Sequence, residues 1–391
     1  MTGGIRLFRI FGIEVYLDWS LLVIFTLITV SLGLGVFPAW HPDWPAAYSL
    51  AVGVVAAVLF LASILIHELS HSVVGRARGM VIRRITLFIF GGMAHLESEP
   101  PDWKSEFWMA IAGPIASVVL GILFITLGTV IAGPEAIDPD DPVGTMEQLG
   151  ALATIFFWLG PINILLAIFN MVPGFPLDGG RVLRSLLWGA SGNMTSATRW
   201  ASFGGRAFAW LLIMAGIAMI LGIHVPPFGA GLIPGLWLCL IGWFLHNAAM
   251  NSFRDVQVRG LLEDVKVAQL MQRDLLNVPD TLDLQTLVDH HVLAAGDQRA
   301  WPVEHNGRLV GLITLNDVRR VPRTAWSHTR VGEAMTPLAS LVTTAPGESA
   351  AKALEKLAGT GVNQLPVMET DALVGLLRRE ELIRWVSWSG R

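Results

Sequence analysis

The chain has 391 residues, of which 53% are hydrophobic and only 15% charged, and its formal net charge is −4 at pH 7. Such an apolar composition is unusual for a soluble protein of this length and favours an integral membrane protein. The single cysteine, Cys239, excludes an internal disulfide and a cysteine-rich zinc site, and we expect no nucleic-acid partner.

Six apolar segments are close to the length of about 20 residues that a helix needs to cross a bilayer. We predict spans near 16–37, 49–71, 107–132, 149–172, 206–223 and 232–250. Lys and Arg are absent from the loops 38–48, 133–148 and 224–231 and are frequent on the opposite side. The positive-inside rule therefore predicts a multi-pass protein of the cell membrane, in contact with lipid, with both termini in the cytoplasm.

The second predicted span ends in His67-Glu-Leu-Ser-His71, an H-E-x-x-H motif. Helix positions 67 and 71 lie about 40° apart, so both imidazoles can bind one metal ion, with Glu68 as a general base. Ionisable groups at membrane depth cost about 3 kcal/mol each or more, which a bound zinc ion would compensate. The alternative is that both histidines are polar residues with hydrogen-bond partners inside a helix bundle.

The segment Val81–Glu97 is rich in β-branched residues, has Gly91-Gly92 at its centre and is too short to cross the membrane. It predicts a β-hairpin that dips into the bilayer between the second and third spans. Non-helical backbone is tolerated there only where protein or a wet cavity satisfies its hydrogen bonds.

A catalytic zinc site needs a third protein ligand and one open position. The end of the fourth span offers Asp178, which lies on a glycine-rich turn at the same predicted depth as the two histidines. Its alternative role is to cap a helix that starts at Gly179. Asn163 and Asn170 are candidates for orienting substrate or stabilising an oxyanion, with hydrogen bonding between helices as the alternative.

The composition changes after about residue 254, where charges become frequent and two halves match at a constant offset of 64. The matching pairs are Met271 with Met335, Pro302 with Pro366, and Gly311 with Gly375. Repeats too small to bury a core alone pack against one another. We predict a membrane domain over 1–254, a linker over 255–264, and repeat units over 265–322 and 329–388.

The repeat resembles a pair of CBS domains, which implies an α/β fold and binding of an adenine nucleotide (ATP, ADP or AMP). Gly311-Leu-Ile-Thr-Leu-Asn-Asp317 fits the family signature, so Asp317 would contact ribose and Thr314 phosphate. The second unit departs from the signature, with Arg378 and Glu381 at the matching positions, and Arg378 could neutralise phosphate. The alternative is a purely structural or dimerising module, and the resemblance also allows a homodimer through the pair.

The H-E-L-S-H motif and the later N-x-x-P-x-x-P-L-D-G-G stretch that ends in Asp178 resemble the site-2 protease family of intramembrane zinc metalloproteases. The branch with CBS domains is most similar, and the resemblance covers the whole chain. Further marks are Phe90-Gly-Gly-Met, Ala112-Gly-Pro114 and Gly160-Pro-Ile-Asn163. The resemblance implies that His67, His71 and Asp178 bind Zn²⁺, that Glu68 is the general base, and that the substrate is a membrane protein with one span.

We therefore predict a polytopic α-helical membrane protein with six spans and a membrane-dipping hairpin, followed by a soluble α/β tandem CBS domain. Its predicted function is regulated intramembrane proteolysis with nucleotide-responsive regulation. One alternative is a CBS-gated transporter or channel that uses the His/Glu/Asp cluster as an ion site, although the spans show no convincing inverted repeat. Another is a catalytically silent nucleotide sensor, which would have no need for Glu68.

Overall fold

The computed structural model describes residues 4–96, 99–133, 142–226, 228–292, 298–370 and 372–389. The chain divides into two compact units, Met1–Arg254 and Asp255–Arg391.

In the described part of the first unit, six helices are long and apolar enough to span a membrane, as predicted. The first, Leu21–Trp40, consists of α1 (Leu21–Ser31), a π-helical turn (Leu32–Val36) and α2 (Phe37–Trp40). The others are α3 (Ala46–Ala77), α4 (Trp103–Ala132), α6 (Ala151–Asn170), α8 (Met194–Ile220) and α9 (Leu232–Glu263). The first helix starts later than the predicted residue 16, because residues 13–17 form a strand. The helix α8 starts well before the predicted residue 206, because its first turns, which contain arginines, are also helical.

Four strands form a sheet beside these helices: β1 (Ile5–Ile10), β2 (Ile13–Leu17), β3 (Ile82–Phe88) and β4 (Gly91–Leu96). They lie in the order β1-β2-β3-β4, and only the β2–β3 pair is parallel. The β3–β4 hairpin falls where we predicted one, while Glu97, the last residue of that prediction, lies outside the described residues. The strands β1 and β2 were not predicted.

Two short helices complete the first unit: α5 (Pro142–Gln148) and α7 (Asp178–Ser191). The amphipathic α7 buries Gly179, Gly180, Arg184 and Ser185. It ends at Gly192, whose φ of +68° is left-handed and suits a glycine after a helix. Because α7 is short and partly polar, the search for membrane spans did not predict it.

The second unit is an α/β structure. Its helices are α10 (Val267–Leu270), α11 (Leu284–Thr286), α12 (Leu315–Arg320), α13 (Val331–Ala334), α14 (Ala350–Thr360) and α15 (Arg379–Ser389). Its strands are β5 (Val278–Pro279), β6 (Ala300–His305), β7 (Arg308–Thr314), β8 (Thr336–Pro337), β9 (Gln364–Glu369) and β10 (Ala372–Arg378). Residues 255–263, which we expected as a linker, continue α9, and Leu262 is buried in the core of this unit.

Each repeat of the second unit pairs with backbone of the other repeat. Thr336, at the start of the second repeat, pairs with Leu312 of the first, and Gln272 pairs with Leu376 of the second. A Cβ at Gly311 would lie 2.6 Å from Met335 Sδ, and one at Gly375 would lie 2.8 Å from Gln272 O. The methionines and glycines that mark the repeat are therefore the contacts that join one repeat to the other.

Candidate metal centre

The H-E-x-x-H motif lies within the regular helix α3, which continues to Ala77. His67 and His71 are one turn apart on the same helix face, and their exposed fractions are 3% and 7%. Both imidazoles are thus buried. A buried polar group needs a hydrogen-bond partner or a ligand to offset its lost hydration.

Asp178, the first residue of α7, lies against both histidines. Its Oδ2 atom is 3.1 Å from Nε2 of His67 and 3.1 Å from Nε2 of His71, and the two Nε2 atoms are 3.2 Å apart. Within the described ranges, this is the single group of three His, Cys, Asp or Glu side chains close enough to hold a metal ion. Tetrahedral zinc ligands with bonds of about 2.0–2.1 Å are about 3.3 Å apart, so the three atoms fit one face of such a site and leave a fourth position for water.

The other nitrogen of each ring is held by α4. His71 Nδ1 lies 2.7 Å from the carbonyl oxygen of Met109, and this carbonyl can only accept, so the proton is on Nδ1. His67 Nδ1 lies 2.9 Å from Ser117 Oγ. Such partners fix ring orientation and, for His71, leave the Nε2 lone pair free to bind a metal.

Gly113 of α4 faces the two imidazoles. A Cβ at this position would lie 2.2 Å from His71 Nε2 and 2.7 Å from His67 Nε2. Glycine is therefore required for α4 to approach the side of the cluster where the metal-binding nitrogens meet.

Asp178 does not cap its helix. The N-cap position is Leu177, and α7 begins with Asp178 itself, so the capping alternative is wrong. Burial acts to raise the pKa of the Asp178 carboxyl, but its interactions with His71 and His67 outweigh burial and hold that pKa below its usual range. The side chain is thus a carboxylate directed at the histidines.

Glu68 lies between the two histidines in sequence and is half-buried. The hairpin strand β4 packs against it: a Cβ at Gly92 would lie 2.2 Å from Glu68 Cγ and 3.0 Å from Oε1. Gly92 thus brings strand backbone into direct contact with the candidate base, whereas a Cβ at Gly91 would meet nothing within 4 Å.

The two candidate asparagines are placed differently. Asn163 is fully buried in α6, and its Nδ2 donates to Leu159 O at 2.8 Å and to Ser63 Oγ at 3.4 Å. These bonds run within α6 and to α3, one turn before His67. Asn170 is the last residue of α6 and is half-buried.

One buried ion pair near the cluster was missed from the sequence. Arg184 of α7 donates from Nε to Glu106 Oε1 of α4 at 2.7 Å, and its Nη2 donates to the same oxygen. The predicted third span started at 107, so Glu106 fell in a loop. The available signal was the spacing of Glu106, Gly113 and Ser117, which places them on one helix face.

The second unit contains a cavity of about 840 Å³, whose lining includes Thr314, Asp317 and Arg378. Thr314 and Asp317 bond to each other at the start of α12, where Thr314 Oγ1 donates to Asp317 Oδ2 at 2.6 Å. Glu381 accepts from Arg378 Nη2 at 2.5 Å. The four residues predicted from the CBS signature thus form two pairs, three of whose members line the same cavity.

The fold and the site define a multi-pass membrane protein in which two buried histidines and a half-buried aspartate form a cluster suited to a metal ion. Residues 55–145 and 129–212 match peptidase family M50, and residues 267–323 and 331–387 match the CBS domain. The chain belongs to peptidase family M50, the site-2 proteases, and is a zinc metalloprotease with a tandem CBS pair.

Relatives match over nearly the whole chain. The protein named zinc metalloprotease Rip3 of Mycobacterium tuberculosis is 33% identical over 388 residues, which cover 99% of this chain and 93% of that protein. A protein of Synechocystis sp. that is also named as a zinc metalloprotease is 32% identical, covering 100% of this chain and 97% of its own length. The solved site-2 protease from Methanocaldococcus jannaschii is 25% identical, with a TM-score of 0.43, and covers 64% of this chain and 96% of that chain. The predicted family is confirmed, and the transporter alternative has no support.

Proposed function

We propose that this enzyme cleaves a peptide bond in or near the membrane span of a membrane-anchored protein, which is regulated intramembrane proteolysis. The main support is the cluster of His67 Nε2, His71 Nε2 and Asp178 Oδ2, which lie 3.1–3.2 Å from one another. These three residues would hold one Zn²⁺. Two of them belong to a helix that is apolar enough to span the membrane.

Glu68 is the proposed general base. When bound, zinc polarises a scissile carbonyl and lowers the pKa of water towards about 7. The Glu68 carboxylate takes a proton from the attacking water and donates it to the leaving amine. Because Glu68 is half-buried whereas both histidines are buried, it lies on the side of the cluster nearest to solvent or substrate.

The strand β4 is the proposed docking edge for the substrate. It is the outermost strand on its side of the described sheet, and its Gly92 packs against Glu68. An outermost strand presents main-chain groups that can pair with an extended peptide. A helical substrate would unwind here, because the hydrogen bonds of a helix shield the peptide bond that must be attacked.

Asn163 and Asn170 are the proposed candidates for contacting substrate or stabilising the oxyanion. The contacts favour Asn170, because Asn163 is fully buried and its amide already donates to Leu159 and Ser63. Asn170 is half-buried and precedes the turn that leads to Asp178.

The CBS pair is proposed to bind an adenine nucleotide that modulates cleavage. The cavity is lined by more cationic than acidic side chains, which suits phosphate groups. The cationic ones are Arg299, Arg319, Arg320, Arg378 and Arg379, and the acidic ones are Asp317 and Glu380. Asp317 would accept from ribose hydroxyls, Thr314 would face phosphate, and the Arg378–Glu381 pair would form the second half of the site.

The proposed location is the cell membrane, with both termini in the cytoplasm. The support is the concentration of Arg and Lys on the side of the chain that carries the termini and the H-E-x-x-H motif. A homodimer through the CBS pair is the proposed assembly.

The test compares cleavage of single-span membrane proteins by purified wild type, Glu68→Gln and Asp178→Ala. We expect Glu68→Gln to keep zinc and to cleave about 10²–10⁴-fold more slowly, because a general base contributes that much. Asp178→Ala should lower the zinc content. Glu355→Gln, a matched change at an exposed site of the second unit, is the control. Undiminished turnover by Glu68→Gln would remove it from the base role, and full zinc content in Asp178→Ala would reject it as a ligand.

A further inference from the structure

A buried ion pair joins α4, the helix that contacts the rings of both histidines, to α7, the helix that carries Asp178. Glu106 of α4 is 0% exposed and Arg184 of α7 is 7% exposed. Both guanidinium contacts reach one carboxylate oxygen, Oε1, while Oε2 has no hydrogen-bond partner among the described residues. The Arg184 guanidinium also lies 5.2 Å from the ring centroid of Phe175, just before α7.

One face of α4 holds both histidines. Met109 and Ser117 contact the Nδ1 atoms, and Gly113 lies against the Nε2 atoms. Glu106 lies about one turn before Met109 and is buried on the same face. Glu106, the acidic member of the ion pair, therefore lies on the same face of α4 that orients His67 and His71.

The partner helix α7 supplies the third proposed ligand. Its first turn packs closely on the preceding loop: a Cβ at Gly179 would lie 2.3 Å from Met171 O, and one at Gly180 would lie 2.4 Å from the Gly174 carbonyl carbon. Glycines allow this approach but provide no directional bond. Arg184 provides one, about 9 Å along the helix from Asp178 at a rise of about 1.5 Å per residue.

We propose that Glu106 and Arg184 are positioning residues for the metal site. The pair sets the rotation and height of α7 against α4, so that Asp178 Oδ2 meets both imidazoles at the same 3.1 Å distance. A one-residue slip of α7 would shift Asp178 by about 1.5 Å and turn it by about 100°. A buried ion pair often stabilises a fold no better than an apolar pair of similar volume, so stability alone does not explain the pair. The inference rests on the proposed ligand set.

The experiment measures zinc affinity by chelator competition, together with the unfolding temperature of the metal-free protein, on the full-length enzyme in detergent. Glu106→Leu combined with Arg184→Leu removes both charges and leaves neither group unpaired. We expect this double variant to unfold near the wild-type temperature, but to bind zinc about 10–100-fold more weakly, the usual effect of losing support behind a metal ligand. A purely structural pair would not separate these two measurements.

Three further variants keep the test decisive. Arg184→Lys keeps the charge but loses the planar donor geometry, and it should also bind zinc at least about tenfold more weakly. Wild-type zinc affinity in either the folded double variant or Arg184→Lys would overturn the positioning role. Loss of the exposed pair Arg259–Glu355 should leave zinc affinity unchanged. Asp178→Ala is measured alongside. If this variant retains wild-type zinc affinity, the proposed ligand set fails. If Asp178→Ala binds zinc more weakly but the variants of Glu106 and Arg184 do not, the positioning role alone is rejected.

Discussion

Gly113 allows α4 to approach the two imidazoles closely, since a Cβ at this position would lie 2.2 Å from His71 Nε2. In Gly113→Ala, either the helix or the ring must move. We expect zinc affinity to fall by about 10–100-fold, as it does when a metal ligand loses its orientation. Metal analysis and chelator competition would measure the fall.

Gly128→Ala is the matched control on the same helix. Its Cβ would meet the Phe157 ring at 3.3 Å, which a small side-chain adjustment can accommodate. We expect near wild-type zinc affinity in this variant. Equal affinities in both variants would contradict the importance of space at Gly113.

His41, just after the first span, is a buried histidine outside the metal cluster. Its Nε2 lies 2.8 Å from Thr154 Oγ1, and its ring stacks on Trp44 at 3.8 Å between centroids. Burial lowers the pKa of His41, although the Glu147 carbonyl and carboxylate act in the opposite direction. The folded protein therefore favours neutral His41 more strongly than the unfolded chain does.

This pKa shift predicts the sign of a pH effect. As pH falls through about 6.5, the ordinary pKa of histidine, the unfolded chain binds a proton first, so stability falls until the folded-state pKa is passed. We expect the unfolding temperature in detergent to drop more steeply between pH 7.5 and 5 for wild type than for His41→Gln. Parallel pH profiles for the two proteins would show that His41 does not contribute.

The sequence predicted the cluster well where the signal was local. His67, Glu68 and His71 lie within one helical turn, so their spacing alone brings them together. Asp178 is more than 100 residues away and was reached through the family resemblance. Glu106 was missed, because its partner Arg184 is distant in sequence and the boundary of a span is set by burial rather than by hydropathy alone.

At the scale of elements, strand β4 packs directly against Glu68. Gly92→Ala places a methyl group 2.2 Å from Glu68 Cγ, so the hairpin or the base must shift. We expect cleavage to slow by about 10²-fold, the effect of a misplacement of about 1 Å. Zinc content should stay at the wild-type level, because the three atoms nearest to such a Cβ all belong to Glu68 and none to a proposed ligand.

Met93→Ala is the control for this prediction. Met93 is the next residue of β4, points to the opposite face of the sheet and is exposed. Its loss should change cleavage little. A Gly92→Ala enzyme with full activity would mean that the backbone of β4 does not restrict Glu68.

The long apolar helices were predictable because each carries its own signal over about 20 residues. The strands β1 and β2 were not, because β2 pairs with β3 about 70 residues later, and such pairing leaves little mark on the local sequence. Likewise, the 64-residue repeat was visible in the sequence. The pairing of Gln272 and Thr336 with strands of the opposite repeat was not, because it is long-range.

At the scale of the whole molecule, nucleotide binding to the second unit should change cleavage by the first. We expect ATP, ADP or AMP to alter the cleavage rate of full-length wild type. Asp317→Asn keeps an oxygen for the helix cap but loses the charge, so this response should require about tenfold more nucleotide, as expected when a charged hydrogen bond is weakened. Cleavage rates measured across a nucleotide titration would test this.

Asp280→Asn is the control for the nucleotide experiment. Asp280 also belongs to the second unit, where it lies 2.8 Å from His305 Nδ1, and it does not line the cavity. Its response to nucleotide should equal that of wild type. The absence of binding heat for all three nucleotides with wild type would favour the structural module instead.

The parallel pairing of β2 with β3 also constrains how the chain enters the bilayer. Residues 14–17 lie alongside 84–87, and the chain between them contains two helices able to cross the membrane. Two strands in one ladder must end on the same face of the bilayer, so the number of crossings between them must be even. A nascent chain that inserted only one of these helices would leave β3 with an unsatisfied hydrogen-bonding edge. The β2–β3 ladder can therefore form only when both of the first two spans are inserted or neither is, independently of their flanking charges.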